Sequence, residues 1–256
     1  MSKFNTPAKF GSLIVVLAIK TIKLRYKNSI LGFLWSIINP LTYLLIFTFI
    51  FSKAFPGIDR YPLFALSGLV FWTYFSSSTI SVIESIINNS GVLKSINVPT
   101  IAFPLAAQVA SVINLFLSLI PFVLLMFLFG LRIGWETLWF FPILILYTCF
   151  TLGVSLILSS FNVYFRDMQI GWSTFMPAIF YLTPIAYAPS VIPQKYLILV
   201  KLNPIYHFLG AFRSIIYYNE SPSIRQIEII TVIAILFLGV GYFIFKKLER
   251  GFVSQY

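Results

Sequence analysis

RYKNSILGFLWSIINP, residues Arg25–Pro40, is the stretch on which the reading of this chain turns. Its basic start gives way, through Asn28 and Ser29, to an apolar run that carries Gly32, Trp35, Asn39 and Pro40. Water-soluble folds rarely need that order of pieces. A bilayer does: Lys and Arg stay among the cytoplasmic headgroups, Trp sits near the interface, and the apolar run enters the hydrocarbon.

The composition agrees. Of the 256 residues 59% are apolar and 10% charged, with a mean hydropathy of +0.93. A soluble domain carries nearer a quarter charged residues. The class is a polytopic membrane protein, built as one membrane domain over 1–256. Within it, 1–30 forms an N-terminal cytoplasmic segment, 31–247 the membrane part and 248–256 a cytoplasmic tail. The net charge of +11 flanks apolar runs instead of forming a patch on a soluble domain, so it fits anionic lipid headgroups and no nucleic acid. The one cysteine, Cys149, lies in an apolar run and reads as a small buried hydrophobe. Leu13–Ile19 is short, is followed by Lys20 and Lys23, and lacks a small-residue cleavage site, so no cleavable signal peptide is expected.

Six segments are long and apolar enough to span about 30 Å of hydrocarbon at about 1.5 Å per residue. They are Leu31–Phe51, Leu63–Ile87, Ile101–Phe129, Leu138–Phe161, Ile170–Tyr187 and Ile227–Phe245. Six crossings put both termini on one side. Taking that side as cytoplasmic places eleven of the 18 Lys and Arg inside, as the positive-inside rule requires. Ahead of the first span, Lys9, Lys20, Lys23 and Lys27 share one sector of a helical wheel, opposite Ile14, Val15, Ile19, Ile22 and Tyr26. That is the pattern of an amphipathic helix lying along the cytoplasmic interface; a generic basic flank is the plainer reading. Pro189–Arg225 is too polar for a lipid-facing span and too apolar for an ordinary loop. Two short helices dipping into the outer leaflet, the second started by Pro204, fit it, as does a surface-packed loop.

Several chemistries have no support. Glu84 is the one acidic residue well inside an expected span, whereas ion-coupled transporters need ionisable groups in the membrane interior. Its plainer role is a structural hydrogen bond or pairing with a cytoplasmic Lys. His207 is the single histidine, no Asp-x-Asp occurs, and no metal-spaced cluster exists, so no catalytic or metal-binding residue is assigned. Arg166–Asp167 reads as a loop-fixing ion pair. No Gly is followed by Lys, so the phosphate-cradling GxxxxGK[ST] loop is absent and the chain cannot itself be an ATPase.

Four local patterns carry a family resemblance. They are Arg25–Pro40, then GVLKSINVPTIAFP at Gly91–Pro104, NVYFRD at Asn162–Asp167, and LNPIYHFLGAFR at Leu202–Arg213. In order and spacing the chain resembles, over nearly its whole length, the permease subunits of type-two ABC exporters for polysaccharide. Within these it is most similar to the O-antigen exporter (Wzm) family. The resemblance implies an all-α fold with six transmembrane helices per subunit, an amphipathic N-terminal interfacial helix and short re-entrant gate helices between helices five and six. It implies a homodimer in the bacterial inner membrane with two copies of a cytoplasmic ATPase, which holds the ATP and Mg; this chain carries no cofactor. The implied cargo is a polysaccharide linked to undecaprenyl diphosphate. Asn203, Pro204, His207 and Arg213 fall in the implied gate. The loop after the second helix, about Asn88–Thr100, becomes the implied ATPase-coupling segment, with Val92, Leu93, Lys94 and Ile96 at its centre.

The residues themselves fit this division of labour. Asn88–Thr100 is polar enough for the cytosol yet offers Val92, Leu93, Ile96 and Val98 for burial; a solvated loop is the alternative. The 28 Phe, 14 Tyr and 5 Trp supply faces on which sugar rings stack. Trp35, Asn39, Tyr43, Phe47 and Phe51 recur every four residues along one slowly drifting face of the first span, and the first four are the candidate pathway residues. That face suits a sugar pathway, and it also suits lipid contact and an interfacial aromatic belt. The expectation is a channel-forming, multi-pass permease that does no covalent chemistry. A drug, lipid or haem exporter of the same superfamily and a secondary transporter are the competing readings.

Overall fold

The computed structural model describes residues 7–55, 57–95, 98–131 and 134–252, and among them the chain is helical with no strand. α1 (Pro7–Arg25) and α2 (Trp35–Phe51) precede α3 (Tyr61–Ser85) and the short α4 (Ser90–Ser95). α5 (Ala102–Leu128), α6 (Phe140–Tyr164) and α7 (Asp167–Leu182) follow. α8 (Gln194–Lys201) and α9 (Pro204–Ile216) are short, and α10 (Ile224–Glu249) is long.

α3 is the axis of the bundle. Most of its side chains are buried, and it packs against α2, α5, α6, α7 and α9. Its sequence explains why. Ala65, Ser67, Gly68 and the run Ser76–Ser77–Ser78 keep the cylinder thin, so neighbours approach from every side. Aromatic rings fill the wider gaps: Phe71 stacks on Phe212 at 3.6 Å between centroids, and Phe75 stacks on Phe150 at 5.7 Å.

α6 and α10 meet backbone to backbone. A Cβ on Gly153 would run into the main chain of Phe237, and one on Gly241 into the main chain of Gly153. Lipid tails compete for apolar side chains as well as another helix does, so such close approach of small residues is what holds two membrane helices together. α10 buries Ile230, Ala234, Gly241 and Phe245 on one stripe and leaves Val232, Ile235, Leu236 and Phe243 exposed on the other.

Among the described residues five segments are long and apolar enough to cross a membrane: Gly32–Phe51, α3, α5, Trp135–Tyr164 and α10. The expected span Ile170–Tyr187 is shorter than read from sequence. α7 has 16 residues and ends at Leu182, because Pro184 forces Thr183 into extended backbone (ψ 128°).

α1 differs from expectation in its buried face. Leu17 and Ala18 are buried against Ala102, Phe103, Ala106 and Ala110 of α5, with Phe10, Leu13, Ile14 and Ile22 packed alongside. Val15 and Ile19, expected on the apolar face, are exposed instead. The hydrophobic stripe is wider than one partner covers, and α5 takes the side with the small residue Ala18. The expected ion pair Arg166–Asp167 is not formed either. Asn162 does the fixing there: its Nδ2 donates to Ile83 O (3.2 Å) and its Oδ1 accepts from Gln169 N (3.2 Å). The segment expected to be a tail begins as core. Phe252 is fully buried against Phe245 and Tyr164.

Gly153→Ala is expected to lower the thermal unfolding temperature in detergent, at a cost of about 1–3 kcal/mol for an overpacked contact. Gly239→Ala, where an added Cβ meets nothing within 4 Å, is the control and should leave it unchanged. Equal melting temperatures for the two variants would contradict the close α6–α10 contact.

Candidate functional site

α2, α3, α5 and α7 line a partly open cavity of about 580 Å³. Its lining holds no charged residue. Asn39, Asn114 and the hydroxyls of Ser36, Thr73, Ser76, Ser77, Ser118 and Ser173 supply hydrogen bonds; Tyr43, Phe47, Trp72, Tyr74, Phe180 and Tyr181 supply rings. The rings form a connected wall: Phe47 lies 6.4 Å from Tyr43 and 6.0 Å from Phe180, which lies 5.4 Å from Trp72.

The α2 side is shaped by Pro40. A proline inside a helix has no N–H for the carbonyl four residues back, which here is that of Ser36. The Ser118 hydroxyl of α5 donates to that carbonyl at 3.0 Å. Next to it, Asn114 Oδ1 accepts from both Tyr26 Oη and Ser36 Oγ at 2.5 Å each. This cluster ties the end of α1, the start of α2 and the middle of α5 together at the cavity wall. The turn between α1 and α2 needs left-handed backbone at Asn28 (φ 61°) and Gly32 (φ 52°), residue types that adopt it readily. Behind the wall, Gln108 accepts from Ser78 Oγ (2.7 Å) and donates to Tyr74 Oη (2.7 Å), which donates to Thr148 Oγ1 (3.2 Å). The chain of bonds pins α3, α5 and α6 in one register.

Of the stripe read from sequence, Asn39, Tyr43 and Phe47 line the cavity and Trp35 and Phe51 do not; Phe51 packs against the bundle core instead, and Trp35 is 51% exposed at the start of α2. Sequence reasoning missed the α3, α5 and α7 walls. The signal was present: Thr73, Ser76, Ser77 and Ile80 share one helical face of α3 at the spacing i, i+3, i+4, i+7.

At the other end of the bundle α8 and α9 fold as two short helices. α9 is embedded: Phe208, Ala211, Phe212 and Ile215 are buried in the core of α3, α6 and α10. Asn203 caps it, accepting from Ile205 N at 3.0 Å while donating to Thr183 Oγ1 at 2.7 Å, and Pro204 opens its first turn. His207 Nε2 lies 2.7 Å from Lys201 O. Arg213 is 5% exposed and pairs with no carboxylate among the described residues. It donates to the carbonyls that the break at Pro184 leaves open, Pro184 O and Ile185 O, each at 2.6 Å, and it stacks 3.7 Å over the Phe64 ring. Gly68 makes the room, since a Cβ there would lie 2.9 Å from Arg213 Nη2.

In the segment expected from the resemblance to couple to an ATPase, Lys94 is exposed on α4, whereas Val92 and Leu93 are partly buried against the bundle. Leu93 touches both the α1–α5 cluster and the cluster that holds Phe252. Ile96, the fourth residue assigned to it, lies outside the described residues.

Arg213→Ala should remove about 3 kcal/mol of stability, by stranding two buried carbonyls whose donor was charged. Amide hydrogen exchange across 183–187 should speed up with it. Arg213→Lys should recover only part, because one ammonium cannot reproduce the planar fork. Unchanged exchange in Arg213→Ala would contradict this role.

Residues 12–217 match the ABC-2 type transporter family. The chain is 34% identical to the O-antigen export system permease protein RfbA of Klebsiella pneumoniae over 98% of its own length and 97% of the relative's. It is 26% identical to the protein of that name from Myxococcus xanthus, over 96% of each. It is 24% identical to the polysialic acid transport protein KpsM of Escherichia coli, over 90% of this chain and 92% of the relative. With a helical membrane bundle built around an uncharged cavity and a family match across most of its length, this chain belongs to the ABC-2 type transporters.

Proposed function

We propose that this chain is the channel-forming permease of an ATP-driven exporter that moves lipid-linked O-antigen or a related polysaccharide across the bacterial inner membrane. The observation that carries the reading is the cavity lining. Amides and hydroxyls match the hydroxyls of a sugar, and rings match its flat CH faces. With no charge in the wall, successive sugar units are held weakly and alike, which suits a polymer that must slide. The names of the relatives, O-antigen permeases and a polysialic acid transporter, support the same cargo class. An ion-coupled transporter would need ionisable groups in such a cavity.

The working assembly is a homodimer with two ATPase subunits, which bind the ATP and Mg. Asn39 is exposed and Tyr43 is 46% exposed at the cavity, so a second copy seated on this side would close it into a channel. The α4 turn, with Val92, Leu93 and Lys94, passes ATPase motion into the bundle; Ile96 is assigned to the same role from the sequence alone. Leu93 supports this because it rests on α1 and on the Phe252 cluster at once. Asn203, Pro204, His207 and Arg213 belong to the gate region on the far side. There α9 is the fixed wall and α8, with Ile198, Leu199 and Leu202 exposed, is the movable part. The carrier on the cargo is undecaprenyl diphosphate.

Both termini are cytoplasmic and α7 makes the sixth crossing, its 16 residues covering about 24 Å before the non-helical segment 183–188 completes the passage. In a Cys149→Ala background, Ser221→Cys should react with a membrane-impermeant maleimide added to intact spheroplasts, and Ser95→Cys should not. Five crossings would put these two positions on the same side, so equal labelling would refute the topology.

Tyr43→Ala with Phe47→Ala should cut export of surface polysaccharide at least tenfold in a permease-deleted strain, with the purified complex still assembled. Export at the normal level would return these rings to packing and lipid contact.

A further inference from the structure

A second cavity, of about 610 Å³, lies between α1, the α4 end of α3 and the start of α5. It is unlike the first in carrying charge. Lys20 and Arg25 line it from α1, and Glu84 lines it from α3. These opposite charges do not neutralise one another: among the described residues no ion pair joins Glu84 to either. Neutral amides hold them apart. Lys20 Nζ donates to Asn89 Oδ1 at 3.0 Å, and Asn89 is itself fixed by donating to Ser85 O at 2.8 Å. Glu84 accepts from the side chains of Gln169 and Asn88.

Each charged group keeps capacity to spare. A carboxylate has about four acceptor sites and an ammonium three donors, so two amides on Glu84 and one on Lys20 leave both open to the cavity. Leu17, Leu24, Ile80 and Phe103 add apolar lining beside them. A membrane-edge pocket with separated cation and anion sites and an apolar flank calls for a ligand that is zwitterionic and carries hydrocarbon.

We infer that this cavity binds a zwitterionic phospholipid with a primary ammonium headgroup. Its phosphate meets Lys20 and Arg25, its ammonium donates to Glu84, and its acyl chains leave along Leu24 and Ile80. A diphosphate headgroup would bring a second negative charge toward Glu84, where like charges repel. A quaternary ammonium has no N–H to donate to the carboxylate. The cavity shares Ser77 and Ile80 with the uncharged one, so the bound lipid sits at the neck between the two. The inference stands independently of the cargo proposed above.

The test uses the full chain in nanodiscs containing equal parts of dioleoyl phosphatidylethanolamine, phosphatidylcholine and phosphatidylglycerol, followed by native mass spectrometry of the retained lipid. Phosphatidylethanolamine should exceed each of the others about tenfold, the ratio that about 1.4 kcal/mol gives. Glu84→Gln should bring it down to the phosphatidylcholine level, and Lys20→Gln with Arg25→Gln should remove all three. Equal retention of phosphatidylethanolamine and phosphatidylcholine by the unaltered protein would overturn the inference, and that comparison needs no variant to fold. Retention unchanged in Glu84→Gln, or displacement of phosphatidylethanolamine by equimolar undecaprenyl diphosphate, would overturn it as well.

Discussion

Hydrocarbon offers a carbonyl no hydrogen-bond donor, and this constraint organises the molecule. A proline that interrupts a helix sets a carbonyl free, and at two places in this chain the structure shows how open carbonyls are met. Pro40 frees the Ser36 carbonyl, and Ser118 reaches across from α5 to meet it. Pro184 stops α7 and exposes two carbonyls, and Arg213 is buried to meet both. Each repair joins elements that are distant in sequence. The first builds a wall of the uncharged cavity. The second fastens α9 to the end of α7 and to the first turns of α3.

Packing works under the same solvent. Since burial of apolar side chains gains little against lipid, shape and polar bonds decide which helices touch. α3 is central because its small residues let five neighbours approach. α6 and α10 lock because two glycines remove the side chains that would separate them. The Gln108 network adds direction where shape alone would allow a slip.

Much of the fold could be read from the chain. Apolar runs bounded by Lys, Arg and Trp located the long helices to within a few residues, because a bilayer writes its thickness into sequence. The end of α7 was misread because apolar residues continue beyond it, and only the backbone restriction imposed by Pro184 stops the helix at Leu182. The part of the α2 stripe that lines the cavity, Asn39, Tyr43 and Phe47, was legible through its four-residue spacing, but which helices completed the cavity was not. Ser77, Asn114 and Ser173 come from three other helices, and their meeting depends on packing that periodicity does not encode. Arg213 was singled out as a polar interruption in an apolar stretch. Its role as a donor to the Pro184 and Ile185 carbonyls depends on a chain break 29 residues away.

The glycine contact between α6 and α10 also has a mechanical meaning. At Gly153 and Gly241 no side chain stands between the two backbones to yield, so around that point the helices respond to force as a single beam. Gly153 stands near the middle of the 25-residue α6, which gives that beam two arms of about 18 Å. A tilt about this fulcrum carries Phe140 and Tyr164 through similar distances in opposite directions. One end of the protein can then report a push on the other without any helix being stretched or broken.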